Sequence, residues 1–148
     1  MNGTSYKTLQ ILLGLIGLFH LVVGLGLNLI PGFVGVMANW YGANVETTVP
    51  FVYILKPLGV FMVALGVLGV AAARAPLACP MIPYAFAVVF FGWALQRIVF
   101  QGEIQTAFGI ASGRNLGNAV FFFALGIVLL WLHRSVSKSA AAGSSAAA

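Results

Sequence analysis

Apolar residues run through this chain in four long stretches, separated by short segments that hold most of the charges and prolines. The first stretch covers residues 9–30, after Lys7 and before the Pro31-Gly32 breaker, with Gln10, His20 and Asn28 as its polar positions. A secretory signal has an apolar core of about 7 to 15 residues, so this longer run is expected as a retained helix. The second covers 51–73, with Pro50 suited to the first helical turn, Thr47 or Thr48 available as a cap, and Arg74 at its end. Pro76, Pro80 and Pro83 mark a short connection to the third stretch, 81–100, whose last turn carries Gln96 and Arg97. Residues 101–115 mix Glu103 and Arg114 with glycines and are expected as a loop with room for a short surface helix. The fourth stretch is 116–132. A helix needs roughly 20 apolar residues to cross a bilayer, so the pattern predicts an all-α, four-span integral membrane bundle over residues 1–134. The small, low-complexity tail, 135–148, is expected to be disordered.

Composition excludes the soluble alternative. Of the 148 residues, 61% are hydrophobic and 6% charged, whereas a soluble domain carries about 25% charged residues. Mean hydropathy is +1.06. The net charge of +5 comes without a basic cluster, which argues against nucleic acid as a partner. Because loops alternate sides, Lys7, Arg74, Arg134 and Lys138 fall together and Arg114 lies opposite, which predicts both termini on the cytoplasmic side. Cys79 is the single cysteine, so neither an internal disulfide nor a CxxC site is available.

Helices in lipid associate through close backbone approach and polar pairing, and small residues mark the faces that touch. Gln10, Gly14, Gly17, His20, Gly24 and Asn28 fall on one stripe of the first helix. Gly59, Gly66 and Ala73 repeat every seven residues in the second, and Gly126 marks a comparable line on the fourth. These are the expected packing faces.

Candidate chemistry gathers at one end. Asn28, Glu46, Lys56, Gln96, Arg97 and Glu103 all map to the outer half or outer loops, the expectation being an outward-opening polar pocket. There the two cations could hold an anionic headgroup, a quinone carbonyl or a small acid, or else snorkel and pair with the two glutamates. Pro57 adds a bend by freeing the Tyr53 carbonyl. His20, near mid-span, could ligate a haem or pigment or form an interhelical hydrogen bond. His133 lies at the inner end of the fourth span, and His20 is about 16 Å deeper at 1.5 Å per residue, so the two histidines cannot share one iron. With no Asp and two Glu, a dimetal carboxylate site is not expected, and no hydrolase, zinc-protease or nucleotide motif occurs, so no catalytic residue is assigned.

The segment KPLGVFMVALGVLGVAAARAP, followed by FFGWALQRIVFQG and a helix ending in WLHR, resembles the DoxX-like four-helix bacterial membrane proteins. In that family the third helix ends in an ALGR-like segment; here Gln96 stands in place of the glycine and Arg97 is retained. The resemblance implies the same bundle in a bacterial inner membrane, and a family that includes subunits linked to quinone-dependent thiosulfate oxidation. The leading functional expectation is a non-catalytic accessory or scaffold subunit, contacting lipid, other membrane subunits or a second copy of itself. The alternatives are a quinone- or small-anion-binding, redox-linked subunit, and haem or pigment binding through His20.

Overall fold

The computed structural model describes residues 3–145, and among them every regular element is an α-helix: α1 (Gly3–Leu29), α2 (Phe33–Tyr41), α3 (Val49–Arg74), α4 (Met81–Val99), α5 (Gln101–Phe108) and α6 (Ser112–Ser145). Four of these, α1, α3, α4 and α6, are long and apolar enough to cross a membrane. Large apolar side chains such as Ile11, Val60, Phe61 and Val88 lie on their outer faces, the arrangement that suits lipid as solvent. Thr48 caps α3 by accepting a hydrogen bond from the Phe51 amide, Pro50 occupies the first turn, and the helix continues through Pro57.

The long helices run antiparallel in sequence and form two pairs, α1 with α3 and α4 with α6. In the first pair the backbones themselves touch. A Cβ built on Gly24 would sit 2.6 Å from the Gly59 carbonyl oxygen, and one on Gly17 would sit 2.6 Å from the Val70 nitrogen. Gly66 and Gly59 face back onto Gly17 and Gly24, so a seven-residue step on one helix meets a seven-residue step on the other. Gly69, which the glycine pattern alone did not single out, rests on the Gly17 backbone. Gly14 makes ordinary contact with Ala73, and Gly126 instead makes room for the Phe91 ring. Asn28 locks the outer end of the pair: its Nδ2 donates to the Gly24 carbonyl at 3.0 Å and to the Lys56 carbonyl at 3.2 Å.

The two pairs meet at the end of the bundle where α1 begins and α6 finishes, its inner end, where Leu9, Leu13, Phe86, Leu129, Leu132 and Val136 form one core. Toward the outer end a second cluster, Val23, Leu27, Val34 and Met62, seats α2 on α1 and α3. α2 is bracketed by Gly32 and Gly42, both in the left-handed region with φ of 78° and 72°. The Asn44 amide donates to the Phe108 carbonyl at 2.7 Å, which ties the two outer connections together.

One connection gains an element and one expectation changes. The connection 31–50 holds a helix, because FVGVMANWY is apolar enough to pack once the glycines turn the chain. The expected disordered tail is instead the continuation of α6, at least to Ser145; residues 146–148 lie outside the described part. Alanine is the strongest helix former, Val136 is buried against the α1 core, and the Ser137 and Ser139 hydroxyls donate to the carbonyls of His133 and Ser135.

Gly24→Ile should therefore destabilise the protein by about 1–3 kcal/mol through overpacking at a backbone contact. Gly92→Ala, in open space, should leave thermal melting in detergent unchanged or slightly raised.

Candidate functional site

Because the two helix pairs converge only at the inner end, a cleft is left between them higher up, roofed by α2. Its deeper chamber holds about 430 Å³ and is lined by Phe19 and His20 from α1, Trp40 and Tyr41 from α2, Phe90 and Trp93 from α4, and Phe121, Phe122 and Asn118 from α6. An outer chamber of about 310 Å³ shares Tyr41, Trp93 and Phe122 with it and adds Gln96, Arg97, Phe108 and Ile110. The two chambers form one aromatic cleft. Leu15 on α1 and Phe121 on α6, each 60% exposed, stand on the deeper chamber's rim, so it opens sideways between those helices at membrane depth.

His20 is enclosed by rings. Trp93 lies nearly parallel to it at 5.9 Å between centroids, and Phe86 and Phe19 meet it edge-on at 5.4 and 5.7 Å. Its Nδ1 lies 2.7 Å from the Ile16 carbonyl oxygen, one turn back on the same helix. The expected interhelical hydrogen bond is thus intrahelical, since the ring reaches only aromatic faces across the interface. Its Nε2 is buried and has no hydrogen-bond partner among the described residues. An unpaired polar atom in an apolar interior is costly, and His133 Nδ1 is left in the same state.

At the mouth, Arg97 Nη1 donates to Asn115 Oδ1 at 2.9 Å, and Asn115 Nδ2 returns a bond to the Arg97 carbonyl at 2.7 Å. The guanidinium carbon sits 5.2 Å from the Tyr41 ring centroid and 5.8 Å from that of Phe122. Two π faces and one amide oxygen leave most of the five guanidinium N–H donors free for an acceptor from outside the protein. Among the described residues no ion pair forms, so neither Lys56 nor Arg97 meets Glu46 or Glu103. Arg114 is tied down differently, donating from Nη2 to the Trp40 carbonyl. Burial holds the Tyr41 phenol above its ordinary value of about 10, and the Arg97 charge acts in the opposite sense.

The single polar pocket expected from the sequence is three separate places. Gln96 and Arg97 line the aromatic cleft. Asn28 and an exposed Lys56 line a groove on the other side of α1, with Pro31 and Thr47. Glu103 lies on a shallow surface with Phe100 and Thr106, and Glu46 is exposed. Nearness to one end of the bundle did not bring these residues to one face, because helix rotation is set by the glycine contacts. Trp93 escaped the sequence reading, although Phe90, Trp93 and Arg97 at spacings of three and four occupy one helix face.

No protein-family description, curated protein or solved structure matches this chain.

Asn115 is buried and bonded in both directions, so Asn115→Ala should cost about 1–3 kcal/mol in a melt by stranding Arg97 groups. A raised Tyr41 value means the folded state keeps that proton longer. Its contribution to stability is complete below pH 10 and is lost as pH rises through the folded value. An ultraviolet titration should show a late-ionising tyrosine that Tyr41→Phe removes.

Proposed function

We propose that this chain is a membrane-embedded binding protein for a flat, lipid-soluble ring compound of the quinone–quinol class, taken from the bilayer into the aromatic cleft. The observation that carries this reading is the buried, partnerless His20 Nε2 beside a 430 Å³ aromatic chamber. Trp93, Phe90 and Phe122 supply flat faces for a ring, and Arg97 supplies donors for a carbonyl or acidic substituent at the outer end. The sideways opening suits a ligand dissolved in lipid, and the chamber volume falls in the range of small-molecule sites.

Within a larger complex the chain would act as the ligand-holding subunit beside a redox partner, a role that joins the accessory and quinone expectations. A DoxX-like origin and a bacterial inner membrane belong to the same proposal, supported by the sequence segments and Arg97. So does an orientation with both termini on the cytoplasmic side, supported by Lys7, Arg74, Arg134 and Lys138.

Titrating a short-chain benzoquinone into the protein in lipid nanodiscs should quench tryptophan fluorescence saturably, since Trp40 and Trp93 line the cleft. Arg97→Gln should weaken binding about 10-fold or more, and Lys56→Gln should leave it unchanged. Linear, non-saturating quenching would sink the proposal. Visible absorption in the purified protein would point instead to a haem or pigment on His20.

A further inference from the structure

We infer that the buried end of the cleft is built to receive a ligand hydroxyl, so that the compound it selects is a phenol, hydroquinone or similar O–H-bearing ring. The inference rests on the binding reading above and narrows it. Its starting point is the proton on His20. The Ile16 carbonyl oxygen can only accept, and it lies 2.7 Å from Nδ1, so Nδ1 is the nitrogen that carries hydrogen. In the neutral ring Nε2 then holds a lone pair and can only accept. Nothing among the described residues donates to it.

The surrounding elements keep the ring neutral. Each of α1, α2, α4 and α6 presents aromatic or aliphatic side chains to this chamber, and its polar lining beyond His20 comes from Trp40, Tyr41, Trp93 and Asn118. The two carboxylates of the chain, Glu46 and Glu103, are exposed and line neither chamber. An imidazolium here would have no counter-ion in an apolar wall, whereas a neutral acceptor is satisfied by a single O–H. A carbonyl oxygen brought to Nε2 would set two acceptors against each other.

The opposite end has the opposite preference. Arg97 offers only donors, and it follows Trp93 by four residues, about 6 Å of helical rise. Trp93 itself stacks on His20. A ring lying along Trp93 would thus meet donors at its outer edge and an acceptor at its inner edge. The polarity of the cleft fits a ring with an acceptor substituent at one end and a hydroxyl at the other.

A matched pair of probes separates this from general ring binding: 4-tert-butylphenol and its methyl ether, which keeps the ring and bulk and lacks the O–H. Both are titrated against tryptophan fluorescence with the full chain in nanodiscs, with partitioning into empty nanodiscs subtracted. The phenol should bind about 10-fold more tightly than the ether. In His20→Leu the difference should vanish, with the ether's own affinity retained. Equal affinity in the unaltered protein overturns the hydroxyl assignment and leaves the binding site standing, and needs no variant to be read. A preference that survives in His20→Leu, or in His20→Phe should the first variant not fold, also overturns it. If the ether, the phenol and the benzoquinone all fail to saturate, the binding reading itself falls.

Discussion

Contact between two backbones sets the limits for everything else in this bundle. In lipid there is no hydrophobic gain from joining one apolar helix to another, so α1 and α3 must be held by proximity and dispersion. Gly17 and Gly24 against Gly66, Gly69 and Gly59 provide that proximity, and Asn28 adds bonds to two carbonyls at the outer end. Once α1 is fixed along its length to α3, its remaining face is shared between α4 and α6. Large side chains, Phe86, Phe90, Leu129 and Leu132, fill that second interface near the inner end and hold the pairs apart above it. The cleft is the outcome of joining a thin interface to a thick one.

The cleft then inherits an uneven supply of polar groups. Its walls are rings, its mouth carries a cation with amide and π contacts in place of a carboxylate, and its depth carries an imidazole with one nitrogen unsatisfied. A core that only needed filling could place leucine at both positions at lower cost. Asn115 is spent on fixing Arg97, and the Ile16 carbonyl on fixing His20, so both polar groups are oriented as well as present. Preorganisation of this kind lowers the ordering cost when a ligand arrives.

The bundle was legible in the residues to a large extent. Four apolar runs gave four long helices, Pro50 and Thr48 marked the start of α3, and the glycine stripes marked the α1–α3 interface. α2 was not read, because a largely apolar segment of nine residues between two glycines is too short to span, and it packs against α1 and α3 only in the folded bundle. The end of α6 was read as disordered because serine and alanine bury little, whereas Val136 is buried in the core cluster that holds Leu9 and Leu13 of α1. His20 and Arg97 were legible as candidates by depth and charge. Their common cleft was not, and neither was the separation of Lys56 and Glu103 from it, since vertical position says nothing about rotation about a helix axis.

The uninterrupted course of α6 has a mechanical side. Its 34 residues correspond to about 50 Å of rod, well beyond the roughly 30 Å of hydrocarbon it has to cross. The surplus grows from a packed turn at Val136, so the helix past it is a stalk in register with the bundle. A fluorescent or electron-dense marker joined in register to that stalk would turn with the bundle and report its tilt in the membrane.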